Sequence, residues 1–443
     1  MKKSILQKIL AVLARAAIRK YRPTIIGITG SVGKTSTREA IFSVLKKKYR
    51  VRTSEKNYNN EIGLPLTILG ISHYGKNIFK WLSAFVRVIL RLSASVRNQY
   101  PQILVLEYGV DHPGDMDYLL SIAKPNIAVV TAVGDIPVHV EFFKDPEEII
   151  KEKAKLVQAV PADGQAILNH DDYAVYDMKD KTKSKVLTFG FAAFGESRSG
   201  REEHAEIKII NYQLSISKDA ELGDIPEGIS FKIEHKGHLV PFHLHDAFGE
   251  PQAIAAAAAA AVGITLGLNL VEISEAIKNY APPPGRLRLL KGIKNSFILD
   301  DTYNAAPEAM RAALDTLKAL PGRRKIAVLG DMLEIGRFSE QAHRAVGDQA
   351  AGFVDLFFCV GPRAKFIADE ALTRGVKHNQ VFKFDDSESA GRALDPIIQP
   401  GDLILVKGSQ FMRMEKAVKE IMAHPERAEG LLVRQEGHWK NIG

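Results

Sequence analysis

The chain has 443 residues, 46% hydrophobic and 25% charged, which is ordinary globular composition with enough apolar material for more than one core. Its single cysteine, Cys359, excludes an intrachain disulfide or a Cys-type zinc site and reads as a buried core thiol. The net charge of +8 is local: residues 1–22 and 76–99 carry seven and five basic side chains and no acid, so the rest of the chain is net acidic, which excludes a general nucleic-acid binder.

In chain order, residues 1–22 read as a basic amphipathic helix, with Ile5, Leu6, Ile9, Leu10 and Leu13 near helical spacing. Lys8 and Arg15 leave too short an apolar run for a secretory signal. Residues 24–29 (TIIGIT) form a short buried strand, followed by a glycine loop and a helix from about Lys34 to Lys48. Residues 76–99 repeat the basic amphipathic pattern, with Phe79, Trp81, Leu82, Phe85, Val86, Ile89 and Leu90 at helical spacing. Neither basic segment has the roughly 18 uncharged apolar residues that a membrane span needs. Such helices either lie on anionic membrane surfaces or pack on their own protein with their charges in water.

Apolar runs at 102–107, 126–131 and 165–169 read as parallel strands alternating with helices. Residues 205–243 alternate as antiparallel strands do, and 250–280 are helical, with the run Ala255–Ala261 suited to close helix packing. Pro282-Pro283-Pro284-Gly285 marks a domain boundary, and a second alternating set has strands near 296–300, 325–329, 355–360 and 403–407. The expected fold class is α/β. A basic helix (1–22) precedes a central phosphate-loop domain (23–282), whose doubly wound, mostly parallel sheet has an antiparallel subregion. A smaller Rossmann-like C-terminal α/β domain (283–443) follows.

The strongest chemical signal is Thr29-Gly30-Ser31-Val32-Gly33-Lys34-Thr35-Ser36. A strand, a glycine turn and Lys-Thr opening a helix cradle phosphates, because backbone N–H groups and the helix N-terminus face the anion. Lys34 would reach the β- and γ-phosphates of ATP and the Thr35 hydroxyl would hold Mg²⁺. The usual spacing would place glycine at 28, where this chain has Ile28. Glu107 ends an apolar strand, where an acid is exposed at the carboxyl edge of the sheet and ligands bind. His139 lies in the loop after the next strand, and Lys153 sits within Lys151-Glu152-Lys153-Ala154-Lys155. From the residues alone, His139 is equally an ordinary loop histidine, and Lys151 and Lys155 are solvated helix charges.

The shortened loop Gly30–Ser36 resembles the ATP loop of the Mur ligases, the amide-bond-forming enzymes of peptidoglycan synthesis. Asn57-Tyr58-Asn59-Asn60-Glu61-Ile62-Gly63-Leu64-Pro65, Asp300-Asp301-Thr302-Tyr303-Asn304-Ala305-Ala306-Pro307, Leu329-Gly330-Asp331-Met332-Leu333-Glu334-Ile335-Gly336 and Val406-Lys407-Gly408-Ser409 resemble the MurF branch in family order. The resemblance implies a cytoplasmic, ATP-dependent ligase that activates a carboxylate as an acyl phosphate and adds D-alanyl-D-alanine to a peptidoglycan-precursor peptide. It implies two Mg²⁺ ions, held by Thr35, Glu107, His139 and a carbamylated Lys153. A carbamate turns a repelling ammonium into an oxygen donor and requires a neutral amine, which burial favours. Gly30, Ser31, Gly33, Lys34, Thr35, Ser36, Arg286, Asp301 and Asn304 would contact the nucleotide. Asn59, Asn60, Asp331, Glu334, Lys407 and Ser409 would contact substrates.

Three departures stand out, one being that the basic amphipathic stretch at 76–99 is longer than the family's usual connection there. Only 29 residues precede Gly30, so the UDP-holding domain of MurF proteins is expected to be missing; a partner or the two basic segments, through membrane contact, would supply that grip. Pro251 and Ala255 stand where the family has histidine and an adenine-contacting asparagine. A Mur-type ligase with another carboxylate or amine, and a non-catalytic Mur-like interaction protein, are the alternatives.

Overall fold

The computed structural model describes residues 3–54, 58–94, 99–191, 204–219, 223–435 and 439. Helix α1 (Lys3–Tyr21) leads into β1 (Thr24–Thr29), α2 (Lys34–Leu45), β2 (Val51–Thr53), α3 (Gly63–Leu69) and α4 (Ile78–Ser93). Then come β3 (Ile103–Glu107), α5 (Asp115–Ile122), β4 (Ile127–Val130), α6 (Pro146–Gln158), β5 (Gln165–Asn169), the single turn α7 (Tyr173–Tyr176) and β6 (Lys185–Phe191). The long strands β7 (Ile207–Asp219), β8 (Gly223–His235) and β9 (His238–His245) precede α8 (Glu250–Thr265) and α9 (Leu270–Ile277).

These strands form one nine-stranded sheet in the order β2-β3-β1-β4-β5-β6-β7-β8-β9, parallel through β7 and antiparallel across β7–β8–β9. Central strands such as β3 (ILVLE) are buried along their length because helices cover both faces. Alternate side chains divide between them. Ile26, Ile28, Val105 and Val129 pack with α2, α8 and α9, whereas Leu104, Leu106, Ala128 and Val130 pack with α1 and α3 to α6.

A second sheet follows with order β10-β11-β15-β12-β13-β14. Its strands are β10 (Arg288–Lys291), β11 (Phe297–Asp301), β12 (Arg324–Gly330), β13 (Leu356–Val360), β14 (Val381–Phe384) and β15 (Asp402–Lys407); only the β10–β11 pair is antiparallel. The register places Asp301 beside Lys407 and Lys407 beside Leu329, so the carboxyl ends of β11, β15 and β12 coincide. Cys359 is buried in β13, and burial pushes its thiol up to about 12, as expected of a core thiol.

Three local readings change. The helix opened by Lys34 stops at Leu45, and residues 46–48 form a turn. Residues 250–280 are two helices, because Gly267 takes φ +79° and Asn269 with Glu272 forms a capping box that restarts the chain at α9. Of the two basic segments, α1 buries Leu6, Leu10, Ala11, Ala14 and Ala17, whereas α4 buries only Trp81, Ala84, Phe85 and Val88. Lys2, Asn57 and Arg97 lie outside the described residues.

Candidate active site

The loop after β1 turns through two glycines with positive φ, Gly30 at +145° and Gly33 at +88°. A Cβ on Gly30 would lie 2.1 Å from Thr131 Oγ1, so this position requires glycine on both counts. Thr131, at the end of β4, buttresses the loop by donating to Val32 O (2.6 Å), and Ser31 N donates to Ala132 O (2.6 Å). Gly33 then caps α2, leaving the N–H groups of Lys34, Thr35 and Ser36 at a helix N-terminus.

Two lysines converge on one carbonyl. Lys34 Nζ donates to Gly30 O at 2.6 Å and Lys153 Nζ to the same oxygen at 3.2 Å. Lys153 is 2% exposed; burial, reinforced by the positive charge of Lys34, lowers its amine to about 7. Burial likewise lowers Lys34, with Glu107 and Asp111 opposing and Arg286 adding to the effect. The neighbours of Lys153 on α6 have other partners. Glu152 is buried and accepts from Gly114 N and Met116 N at the start of α5 (3.0 Å each), Lys155 bridges Asp117 and Glu152, and exposed Lys151 pairs with Glu147.

Glu107 ends β3, paired in register with Ile28 of β1, and is buried. Arg38 Nη1 lies 2.9 Å from Glu107 Oε1, although that oxygen has no aligned hydrogen bond. Ser31 Oγ and Arg286 Nε are likewise buried without a hydrogen-bond partner. Arg286 sits at the hinge between the sheets, its guanidinium 3.9 Å from the Tyr303 ring centre. Gly285 before it takes φ +69°, and a Cβ there would lie 2.9 Å from Tyr303 N. Gln252 at the start of α8 holds the hinge by donating to Arg286 O (2.9 Å), and itself accepts from the buried Tyr280 hydroxyl (2.5 Å).

The loop carrying His139 joins the two units. His139 has φ +72°, with Nε2 3.3 Å from Asp111 Oδ1 and Nδ1 2.8 Å from Glu334 Oε2 in the C-terminal unit. His139 holds the Glu334 carboxyl below its usual range.

A second constellation lies at the carboxyl edge of the smaller sheet. Lys407 Nζ is buried, 2.5 Å from Asp301 Oδ2, and also donates to Asn304 O (2.9 Å). Asp331 Oδ1 accepts from Arg363 N (2.9 Å) and Ala364 N (2.7 Å). Ser409 Oγ accepts from Leu333 N (2.9 Å). Asn59 and Asn60 belong to neither group: Asn59 O accepts from Gly109 N (2.8 Å), and Asn60 Oδ1 accepts from Gly63 N (2.9 Å) at the start of α3.

Sequence reasoning missed Arg38, Thr131, Tyr280, Gln252 and Arg434. Arg38 had a signal, since it lies one turn beyond Lys34 on the same helix face. Arg434 had none: it donates to Tyr303 O (2.9 Å) and Thr302 O (2.5 Å) across more than a hundred residues of chain.

A phosphate loop at the carboxyl edge of a parallel sheet, facing a second α/β unit across an arginine hinge, defines a nucleotide-using enzyme built from two domains. Family profiles agree, with the Mur ligase middle domain matching residues 28–79 and 88–223 and the Mur ligase glutamate ligase domain matching 285–410. The chain is 30% identical over 403 residues to the UDP-N-acetylmuramoyl-tripeptide–D-alanyl-D-alanine ligase of Mycobacterium leprae, covering 87% of this chain and 71% of that one. It is 29% identical over 415 residues to the Bacillus subtilis ligase of the same name, covering 93% and 79%. The crystal structure of Thermotoga maritima MurF ligase in complex with ADP superposes with a TM-score of 0.73 at 27% identity, covering 95% of this chain and 84% of that one. The chain belongs to the Mur ligase family.

Proposed function

We propose that this chain is an ATP-dependent peptide ligase of the MurF type, adding D-alanyl-D-alanine to a peptidoglycan-precursor peptide in the cytoplasm. One observation carries the reading. Buried polar atoms cost free energy unless bonded, yet Ser31 Oγ and Arg286 Nε lie buried without a hydrogen bond around a phosphate loop, and Glu107 Oε1 beside them has an ion pair with Arg38 but no aligned hydrogen bond. They are the groups that a nucleotide and its metal would complete.

In this reading the loop N–H groups and Lys34 hold the β- and γ-phosphates, and Arg286 reaches them from the hinge. A donor carboxylate oxygen attacks the γ-phosphorus, ADP leaves, and the amine of the dipeptide displaces phosphate from the acyl carbon. The chain lowers the barrier by placing positive charge where two anions must approach.

Mg²⁺ fits the donors present. No three His, Cys, Asp or Glu side chains among the described residues form a protein-only cage. Mg²⁺ does not need one, since it takes one or two carboxylates and fills its shell with water and phosphate oxygens. The buried Glu107 oxygen and the Thr35 hydroxyl would hold one ion, and Lys153 as its carbamate would hold a second together with His139, whose ring nitrogens here face Asp111 and Glu334; both ions would neutralise charge between carboxylate and γ-phosphate. Lys153 suits carbamylation because burial keeps much of its amine neutral near pH 7. Asp301 and Asn304 form the nucleotide side of the cleft. Asp331, Glu334, Lys407 and Ser409 shape the wall of the acceptor pocket, while Asn59, bonded to the turn after β3, and Asn60, at the start of α3, would lie on the donor side.

The test is ADP release with UDP-muramoyl tripeptide, with and without D-alanyl-D-alanine. Turnover that requires the dipeptide is expected. Turnover only with another amine would move the chain to a different Mur-type reaction, and absence of both turnover and ATP binding would remove the enzymatic reading.

A further inference from the structure

Helix α4 has three faces. At about 100° per residue, Trp81, Ala84, Phe85 and Val88 fall on one side and are buried against the protein. Ile78, Phe79, Leu82, Val86, Ile89 and Leu90 fall on a second side and are exposed, Phe79 by 85% and Leu90 by 63%. Lys80, Arg87 and Arg91, preceded by Lys76, form a third, exposed basic strip beside the apolar one. Six large apolar side chains in one row on a single exposed helix face are not the scattered exposure of an ordinary surface.

The two basic segments carry charge of one sign. No Asp or Glu occurs between Glu61 and Glu107, and none in residues 1–22. Helix α1 is tied to the end of α4: Lys20 Nζ donates to Leu92 O and Ala94 O (2.5 Å each), and the Tyr21 hydroxyl donates to Arg91 O (2.7 Å). That joint gathers Arg19, Lys20 and Arg91. The match to the Mur ligase middle domain breaks at residues 80–87, inside α4, so the middle of this helix falls outside the family pattern. No helix among the described residues is long and apolar enough to cross a membrane.

We propose that α4 is an interfacial helix that seats this protein on an anionic lipid surface. Phe79, Leu82, Val86, Ile89 and Leu90 would enter the boundary between headgroups and acyl chains, while Lys76, Lys80, Arg87 and Arg91 extend their stems to meet phosphates. Charge decides against a second copy of the chain as occupant, because pairing two α4 faces would oppose two basic strips with no acid on either helix. A lipid surface answers both the apolar row and the unrelieved positive charge.

The full-length protein is sedimented with vesicles of phosphatidylcholine alone and of phosphatidylcholine containing phosphatidylglycerol, at low and high salt. Binding is expected to require phosphatidylglycerol and to weaken with salt. Lys80→Ser and Arg87→Ser should each reduce affinity about fivefold, and Phe79→Ser with Leu90→Ser on the order of tenfold or more. These four side chains are exposed and distant in sequence from the phosphate loop, so ADP release without vesicles should stay at the wild-type rate and report an intact fold. Three results would each overturn the proposal. They are no binding to anionic vesicles at low salt, equal binding to neutral ones, and self-association in the absence of lipid that the Phe79/Leu90 variant abolishes.

Discussion

Around the phosphate loop, Ser31 Oγ and Arg286 Nε are buried without hydrogen bonds and Glu107 Oε1 has only its ion pair to Arg38, whereas Asp301, Asp331, Lys407 and Ser409 at the edge of the smaller sheet are buried and all hydrogen-bonded. Apart from Arg286 in the hinge, both sets sit at or just after the carboxyl ends of parallel strands. The difference separates two tasks. Beside the phosphate loop, polar atoms left without an aligned hydrogen bond are available to a ligand, while the side chains bonded by their own chain at the smaller sheet shape the wall that a ligand meets.

Substitutions can break this contrast, and the largest effect is expected in the first region. Lys34→Met should cut turnover by about a thousandfold or more, since it removes the charge facing the transferred phosphate. Its thermal midpoint should stay level or rise, because the lysine is desolvated in the free enzyme. A large stability loss instead would place Lys34 with the walls. Lys407→Met strands a buried Asp301 carboxylate and should cost about 3–5 kcal/mol in denaturant unfolding of the C-terminal unit. A fall in kcat with unchanged stability would contradict that assignment.

Lys153→Met should lower kcat by about 10–100-fold through loss of metal support. In the wild type, carbon-13 bicarbonate should give a carbamate signal that the variant lacks. Its formation should rise with pH through about 7, because the amine reacts only after losing its proton and its pKa is near that value. A signal unchanged down to pH 5 would refute a neutral-amine origin. Asp331→Asn keeps one acceptor oxygen for Arg363 N and Ala364 N and should cost only about 1–2 kcal/mol, with a few-fold rise in KM for the dipeptide. Lys151→Ala, at an exposed helix pair, should change stability by less than about 0.5 kcal/mol.

Much of this was legible in the sequence because buried parallel strands read as unbroken apolar runs: β1, β3, β4, β5, β12, β13 and β15 all fall where their runs predict. Strand β6 (KVLTFGF) escaped, its Thr188 and Gly190 breaking the run, and so did the three-residue β2. The phosphate loop was legible because strand, glycine, lysine and threonine come in fixed order within one local segment. Its electrostatic partners could not be reached by local spacing, because Glu107, Lys153 and Arg286 meet Lys34 only through the fold; Glu107 was named from its place at a strand end, and Lys153 and Arg286 only through the family resemblance. Helical spacing gave α4 its amphipathic character, but could not divide its apolar residues between Trp81 and Phe85, which are buried, and Phe79 and Leu90, which are exposed.

The chemistry itself is open to one direct measurement. If the carboxylate is activated as an acyl phosphate, a donor labelled with oxygen-18 in the reacting carboxylate must pass one labelled oxygen to the inorganic phosphate released in each turnover. That transfer is expected, dependent on both ATP and D-alanyl-D-alanine and lost in Lys34→Met. Unlabelled phosphate accompanying amide formation would contradict it.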